Sequence, residues 1–485
     1  MTKTPIRLAA AAAAAARLAG VAVAQPAAPP QPAAPPQAPR PSNDPTEFLR
    51  DPPKPASPKG KFSLVLLGDL LYSRPMAERP DPKLQEVISL IRSGDVTIAN
   101  RESPILDLES FQGTGYANGL LWGEASLAKD QKAMGIDMVS MANNHSTDWG
   151  PEGVIETIRL HDEAGIVHSG AGRNLQEARR AGILTTPKAR VALVSTASTV
   201  KPNAGANDAF GEVKQRTGIS VLRVRPIQMV TADQMALVRR MATEFASPRK
   251  PAPAPDAVEV TVNEQIYRLG PKTQLKWEMD LYDHAGLLKA VREAKDNADV
   301  VVFTIHAHES TTGVDDDTPP PPDFLIKLFH DAVDAGADVI LGGGPHSLRG
   351  VEIYKGKVVL YGMGVFFING EIKALQETAL RVWPDPATGR APPPKPEERS
   401  VRAGGNPASW YDSMVAVTEF DGPKIKTVKL YPLDMGNTYD RSRRGIPHFA
   451  DPENARRILA NLQRDSAPFG TKIDIEGSVG VIRIP

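Results

Sequence analysis

One pattern recurs five times in this chain: a short apolar run ends in a side chain that can bind a metal ion or move a proton. The runs are rich in valine and isoleucine and too short to cross a membrane, as expected for buried parallel strands. The side chains at their ends are Asp69, Glu102, the pair Asn144 and His145, His306, and His346. Open α/β sheets form their sites at the carboxyl ends of strands. The pattern therefore predicts an α/β fold with these side chains in one site.

Carboxylate, amide oxygen and imidazole are ligands that suit Mn, Zn or Fe. Each residue alone also has a structural explanation. Asn144 could cap the helix that follows it, Asp69 and Glu102 could belong to turns, and His306 could be a core histidine. Taken together, the five strand ends favour a metal site over these separate explanations.

Five segments carry a resemblance to a known family. They are GDLLYSRPM, NRESPI, ANNHSTDWGPEGVIETIRLHDEAGI, IHAHE and GGPHSLRGVEIYKGKVVLYGMGVFF, in this order between Phe62 and Ile368. The chain resembles the CapA family, which is associated with poly-γ-glutamate capsule synthesis and has a metallophosphatase-like fold. The resemblance continues more loosely to the C-terminus. It implies a metallophosphatase-like α/β sandwich with ligand residues at the carboxyl ends of strands.

The resemblance also implies roles for the strand-end residues. One or two divalent transition metal ions (Mn, Zn or Fe) would be bound by Asp69, Glu102 as bridging carboxylate, Asn144, His306 and His346. His145 would act as general acid or would stabilise the transition state. His308 and Glu309 would orient His306 without binding metal themselves. The five remaining histidines are expected to be structural.

Three positions depart from the family pattern. Gly343 stands where many relatives have a further histidine, Ala307 replaces a tryptophan, and the sequence YGMGVF replaces YSLGNF. Loss of the imidazole at position 343 could weaken one metal site, leave a mononuclear centre, or mark a non-catalytic member.

The sequence divides the 485-residue chain into four predicted segments. Residues 1–24 have a charged front, an apolar run and an Ala-x-Ala site, which predicts a cleaved signal peptide. Residues 25–60 form a Pro/Ala-rich linker, residues 61–372 the folded domain with an insertion at about 225–281, and residues 373–485 an extension that packs on that domain. The protein is expected to be periplasmic or secreted, and the absence of cysteine is compatible with an oxidising compartment.

Three functions remain open from the sequence. The first is an exported, CapA-like, metal-dependent hydrolase of phosphoester or amide bonds. The second is a non-catalytic, polymer-handling scaffold, which Gly343 favours and the retained ligand set opposes. The third is a general periplasmic phosphatase. The expected partners are a polyanionic polymer or small phosphoester and a membrane capsule-synthesis complex; a net charge of zero gives no sign of nucleic-acid binding.

Overall fold

Two large β-sheets form the centre of the molecule in a computed structural model, which describes residues 44–49, 57–113, 121–313, 320–368, 408–440 and 443–485. In chain order the strands are β1 (Lys61–Leu71), β2 (Val96–Asn100), β3 (Met138–Ser140), β4 (Val167–Ser169), β5 (Ala171–Gly172), β6 (Gly182–Thr185), β7 (Arg190–Ala197), β8 (Gly218–Ile219), β9 (Val224–Val230), β10 (Glu259–Val262), β11 (Gln265–Leu269), β12 (Gln274–Met279), β13 (Val300–His306), β14 (Val339–Gly343), β15 (Val351–Tyr354), β16 (Lys357–Leu360), β17 (Val365–Ile368), β18 (Asp412–Asp421), β19 (Lys424–Asp434), β20 (His448–Phe449), β21 (Asp474–Glu476) and β22 (Val479–Arg483).

The helices lie between these strands. In chain order they are α1 (Pro82–Arg92), α2 (Leu127–Met134), α3 (Gly150–Ala164), α4 (Leu175–Arg179), α5 (Ala232–Glu244), α6 (Leu281–Asn297), α7 (Asp323–Ala335) and α8 (Pro452–Ser466), with 3-10 turns at Pro45–Leu49, Ala408–Tyr411 and Ala467–Phe469. Helix α3 begins with a proline in its first turn and ends at Gly165, whose φ of 68° is the left-handed conformation that glycine adopts most easily. Among the described residues, no helix is long and apolar enough to cross a membrane.

The first sheet has the order β21-β22-β19-β18-β1-β2-β3-β4, with β17 beside β1 and β20 beside β19. Strands β1 to β4 and β17 run parallel to their neighbours within this set, whereas β18 pairs antiparallel with β1. The second sheet has the order β15-β16-β14-β13-β7-β6, and its four central strands are parallel. Parallel strands direct their carboxyl ends to one edge of a sheet, so each sheet presents one candidate edge for a site.

The sheets pack face to face with helices outside. Along β1, Leu64 and Leu66 belong to a core shared with the second sheet, whereas Val65 and Leu67 face the core under α1, α2 and α3. The second sheet alternates in the same way: the even positions of β13 line the shared core, and its odd positions pack under α6 and α7. This alternation of faces is what strands covered on both sides require. The result is an α/β sandwich with ligand-type side chains near the ends of its strands, as the sequence pattern predicts.

Two segments outside the parallel strands have defined places. Within the predicted insertion, β9 to β12 form a separate four-stranded sheet that packs against α5 around its own small core. From the predicted C-terminal extension, β18, β19 and β22 are strands of the first sheet itself, and α8 packs into the shared core. The predicted signal peptide, most of the Pro/Ala-rich linker and residues 373–407 lie outside the described residues.

Candidate metal centre

The predicted site residues lie at the carboxyl ends of strands in both sheets. Asp69 is near the end of β1, Glu102 follows β2 by two residues, and His306 is the last residue of β13. Asn144 and His145 follow β3, and His346 follows β14. In register, Asp69 lies beside the last residue of β2, and His306 lies beside Gly343. Where the edges of the two sheets adjoin, the structure brings together Asp69, Glu102, His306 and His346.

Two groups of three side chains have ligand atoms close enough to hold a metal ion. One contains Glu102, His308 and His346, the other Asp69, Glu102 and His306, and within each group the ligand atoms lie within 4.8 Å of one another. Glu102 belongs to both groups. A carboxylate shared in this way is what a bridging ligand between two ions requires.

The contacts within the first group suit a small cation. His346 Nε2 lies 3.4 Å from Glu102 Oε1, and the rings of His308 and His346 are 5.1 Å apart. Ligand atoms around a tetrahedral Zn²⁺ with bonds of about 2.0–2.1 Å are roughly 3.3 Å from one another. The observed separation is therefore close to what a bound ion would impose.

Two buried oxygens support the presence of a cation at this edge. Glu102 Oε2 and Asn144 Oδ1 are inaccessible to solvent and have no hydrogen-bond partner among the described residues. Leaving a buried acceptor unpaired is costly, particularly when it belongs to a charged group. A divalent cation held by either ligand group would satisfy the Glu102 oxygen, so the residues of these groups fit the metal that the resemblance implies.

His308 contacts His306, as the predicted orienting role requires, and also has a ligand atom in the first group. His308 Nε2 is 3.0 Å from His306 Nε2, and His308 is itself a member of the first ligand group. Glu309 accepts a hydrogen bond from Ser198 Oγ at 2.6 Å. Glu309 is in neither ligand group among the described residues. We therefore count His308 among the candidate ligands. Glu309 is a neighbouring buried residue that pairs with Ser198.

His306 is also contacted by Asn100, a residue that the sequence analysis did not identify. Asn100 Nδ2 donates to Asp69 Oδ1 at 2.7 Å and lies 3.1 Å from His306 Nδ1. Asn100 is the last residue of β2, so the strand-end pattern contains the signal that could have identified it.

Neighbouring Asn143 plays a different part from Asn144. Asn143 Oδ1 accepts from the backbone N–H of His145 at 3.1 Å and from Ser146 Oγ at 2.9 Å. These bonds use its oxygen to shape the turn after β3. The amide oxygen of Asn144 has no such partner among the described residues, which supports Asn144 as the ligand of the pair.

His145 is held by a buried carboxylate. Its Nδ1 lies 2.9 Å from Asp148 Oδ2, which also accepts from the backbone N–H of Leu121 at 2.6 Å. Lys201 Nζ forms an ion pair with the other oxygen of Asp148. The carboxylate holds a proton on Nδ1 and leaves Nε2 to exchange protons. The sequence analysis did not identify Asp148, although it lies three residues after His145. No feature of the sequence pointed to Lys201.

Burial and neighbouring charges shift the pKa values of two side chains in the site. Burial, and then the negative charge of Glu102, raise the pKa of Asp69 to about 7. Burial lowers the pKa of His306 to about 3, so its imidazole is neutral near pH 7. Neutral imidazole is the form that binds metal.

Comparison with known proteins places the chain in a family. Residues 63–370 match the model of the bacterial capsule synthesis protein PGA_cap. The chain belongs to this family. It is 35% identical over 442 residues to the uncharacterized protein y4sH of Sinorhizobium fredii, covering 87% of this chain and 93% of that protein. It is also 24% identical over 331 residues to the capsule biosynthesis protein CapA of Bacillus anthracis, covering 66% of this chain and 63% of that protein.

Solved structures match this chain at low sequence identity and low TM-score. A hypothetical protein from Thermus thermophilus has 15% identity and a TM-score of 0.36, covering 77% of this chain and 99% of that chain. A novel phosphatase from Mycoplasma pneumoniae has 12% identity and a TM-score of 0.35, covering 83% of this chain and 99% of that chain.

Proposed function

We propose that this PGA_cap family member is an exported, metal-dependent hydrolase that acts in capsule or poly-γ-glutamate biosynthesis or export. The observation that best supports it is the pair of ligand groups sharing Glu102, with His145 and its buried carboxylate partner beside them. The substrate would be a phosphoester or an amide in a polyanionic polymer or a smaller molecule. A membrane capsule-synthesis complex is the proposed place of action.

The chain's own residues supply most of what hydrolysis needs. A bound divalent ion would polarise the scissile carbonyl or phosphoryl oxygen and activate water at neutral pH. His145 would give its Nε2 proton to the leaving group, because Asp148 holds the other ring nitrogen protonated and fixes the ring. Lys201 would hold Asp148 in place through their ion pair. The buried carboxylates Asp69 and Glu102 would hold the ion in a site that excludes bulk water.

A non-catalytic scaffold is the alternative that one observation favours. An ideal Cβ at Gly343 would lie 3.1 Å from Asp69 Oδ1 and 3.9 Å from His306 Nδ1, so a histidine there would point at the second ligand group. This chain lacks that imidazole. Weak metal binding would leave a fold suited to holding polymer rather than cleaving it.

Export is a separate part of the proposal. The charged start, the apolar run and the Ala-x-Ala sequence ending at Ala24 support cleavage before Gln25. Mass spectrometry of the protein recovered from the periplasm or medium of its host should give a chain beginning at residue 25. A chain retained in the cytoplasm with its first 24 residues would contradict export.

The metal centre is tested by measuring the metal content of residues 25–485 purified without chelator. His346→Ala should lose most of the bound ion, because it removes a ligand group member. His330→Ala is the matched control: His330 belongs to neither ligand group, its Nε2 lies 2.9 Å from Glu352, and its ring stacks on Tyr354. Equal metal retention by the two variants would contradict the assigned site.

Activity is tested on the loaded protein with phosphodiester and γ-glutamyl substrates. Turnover that falls on chelation and is lost in His145→Ala would support the hydrolase. Bound metal with no turnover of either substrate class, but with retained binding of poly-γ-glutamate, would favour the scaffold. No bound metal after addition of Mn²⁺ or Zn²⁺ would remove the basis for hydrolysis.

A further inference from the structure

Arg101 directly precedes Glu102 and has a buried side chain that the proposed mechanism does not use. The residue is 2% exposed, and its Nε has no hydrogen-bond partner among the described residues. Burying a charged group in this way is costly unless its other contacts offset the loss of water. The contacts that Arg101 does make therefore indicate its role.

The guanidinium group of Arg101 binds the loop that follows β1. Its Nη1 donates to Leu70 O at 3.2 Å and to Tyr72 O at 3.3 Å, and its Nη2 donates to Tyr72 O at 3.3 Å. The guanidinium carbon also lies 5.2 Å from the centroid of the Tyr72 ring, which is within the range of a cation–π contact. Because Leu70 directly follows Asp69, these bonds fix the chain next to the Asp69 carboxylate.

The backbone of Arg101 binds the end of β3 and the turn after it. The Arg101 N–H donates to Ser140 O at 2.9 Å, and Arg101 O accepts from Asn143 Nδ2 at 2.9 Å. Ser140 is the last residue of β3, and Asn143 shapes the turn that carries Asn144 and His145. Any residue at position 101 could form these two backbone bonds, whereas the bonds to the loop after β1 require the arginine side chain.

Arg101 therefore joins three of the strand ends that carry candidate site residues. These are the ends of β1 with Asp69, of β2 with Glu102, and of β3 with Asn144. Glu102 belongs to both ligand groups, so its position relative to Asp69 determines whether the second group can close around an ion. Groups behind the ligands of a metal commonly orient them in this way.

The neighbouring chain leaves room for the guanidinium and holds the loop from its other side. An ideal Cβ at Gly123 would lie 2.5 Å from Arg101 Nη2, so this glycine admits the arginine. Asp130 accepts from Tyr72 Oη at 3.1 Å and from the backbone N–H of Ala77 at 2.7 Å. The loop after β1 is thus held by a carboxylate from α2 and by the arginine that follows β2.

We propose that Arg101 is a positioning residue of the metal centre: its guanidinium holds the loop after β1 so that Asp69 and Glu102 keep the separation at which both bind an ion. The inference rests on the proposed metal centre. It predicts that loss of this side chain weakens metal binding, although a guanidinium is not itself a metal ligand.

The test is a titration of the metal-free protein, residues 25–485, with Mn²⁺, measured by calorimetry and by electron paramagnetic resonance of the bound ion. Arg101→Met keeps an unbranched side chain but removes the donors. It should weaken Mn²⁺ binding by roughly 10–100-fold, the usual effect of losing a group that orients metal ligands. It should also change the resonance spectrum, because that spectrum depends on the arrangement of the ligands around Mn²⁺.

Arg101→Lys is the conservative variant. A lysine keeps the charge and can donate to a carbonyl, but it lacks the planar fork that reaches Leu70 O and Tyr72 O together. It should weaken Mn²⁺ binding by about three- to tenfold, less than the loss expected for Arg101→Met, because part of the contact is kept.

Val291→Ala is the control for a general loss of stability. Val291 is fully buried on α6, in the core that packs on the outer face of the second sheet. The variant should unfold at a lower temperature than the wild type but should bind Mn²⁺ with wild-type affinity and an unchanged spectrum. Thermal unfolding of every variant establishes the temperature range in which each is folded.

The outcomes separate the inference from the proposal beneath it. Wild-type affinity and spectrum in folded Arg101→Met, or an equal loss of affinity in Val291→Ala, would overturn the inference and leave the metal centre in place. If Arg101→Met does not fold, wild-type affinity in Arg101→Lys would overturn it. Failure of both Arg101 variants to fold would also overturn it, because Arg101 would then serve the fold as a whole. A wild-type protein that binds neither Mn²⁺ nor Zn²⁺ would overturn the metal centre itself and the inference with it.

Discussion

The nine histidines of this chain divide into a group at the strand ends and a group elsewhere. His145, His306, His308 and His346 gather at the candidate metal centre. Each of the other five has an oxygen of a neighbouring side chain within 3.2 Å: Gln131 beside His161, Asp162 beside His168, Asp331 beside His284, Glu352 beside His330, and Asp81 beside His448. These pairs support the expectation that the five are structural. Substituting one of these five histidines should therefore change the free energy of unfolding.

His161 should make the stability of the protein depend on pH. It is fully buried, its Nδ1 is 2.8 Å from Thr157 O, and burial lowers its pKa to about 3. In the unfolded chain His161 has a pKa near 6.5, so below that pH it binds a proton, whereas in the folded chain the ring stays neutral down to a much lower pH. Stability contributed by the neutral ring is therefore complete above about pH 6.5 and is lost as the pH falls toward 3, by at most ~1.4 kcal/mol per pH unit.

Urea unfolding at pH 7, 6 and 5 measures this contribution. His161→Gln should show a shallower loss of unfolding free energy with falling pH than the wild type. His330→Gln is the control, because the side chain of His330 is 29% exposed whereas His161 is fully buried. Equal slopes in the wild type and His161→Gln would show that His161 does not carry this dependence.

At the scale of elements, β1 connects the site to the rest of the first sheet. It pairs with β18 along Lys61–Leu66, with β2 up to Asp69, and with β17 from Asp69 onward, with irregular register on both sides of Asp69. The backbone N–H of Asp69 donates to Gly364 O at 3.1 Å. The irregularity brings the strand close to the chain before β17 and sets the position of the Asp69 carboxylate.

Gly68 is required for this close approach. An ideal Cβ at position 68 would lie 2.0 Å from Gly364 O, and that backbone atom cannot move without shifting β17. We expect Gly68→Ala to destabilise the fold by about 1–3 kcal/mol, the usual cost of overpacking, and to weaken metal binding by displacing Asp69. Denaturant unfolding and a Mn²⁺ titration measure the two effects.

Gly313→Ala is the matched control for this substitution. Among the described residues, a Cβ at Gly313 has no neighbour within 4 Å, and its backbone is not in the left-handed region. The control should unfold like the wild type. If Gly68→Ala does so too, the close approach of β1 to Gly364 is not tight in solution.

At the scale of the whole molecule, the C-terminal segment completes the core, whereas the insertion is peripheral. Ala416 of β18 and Leu459 and Leu462 of α8 lie in the core between the two large sheets. The insertion has its own core around Val230, Met235, Val238, Val260 and Val262. Val224 pairs with Met279 across antiparallel strands, so the insertion leaves and re-enters the domain at one place.

Two deletions should therefore have opposite results. A chain ending at residue 407 should fail to fold, because it exposes the apolar face of β1 and one side of the shared core. Replacement of residues 227–276 by Asn-Gly should leave a folded domain, because this dipeptide closes a hairpin between the neighbouring strands that flank the insertion.

Cooperative thermal unfolding and Mn²⁺ binding report the outcome of both deletions. The insertion variant should keep the wild-type metal stoichiometry, since no ligand group member lies in the replaced segment. A cooperative fold in the chain ending at residue 407 would contradict the place of β18 and α8 in the core.

The fold class and most of the candidate site residues can be predicted from short stretches of the sequence. Valine-rich runs of strand length, the proline and glycine that bound α3, and polar side chains at strand ends determine an α/β fold and identify Asp69, Glu102, Asn144, His306 and His346 as candidates. The parallel arrangement then brings strand ends to common edges, whatever the details of packing.

Other features were decided only when the two sheets packed together. Gly343 beside Asp69, the amide of Asn100 between Asp69 and His306, and His308 beside His346 each join residues from different strands or different sheets. Their spacing depends on register and on the approach of the sheets, which no short stretch of sequence encodes. The strand-end pattern alone thus indicated a metal centre, and tertiary packing decided how its ligand atoms are shared.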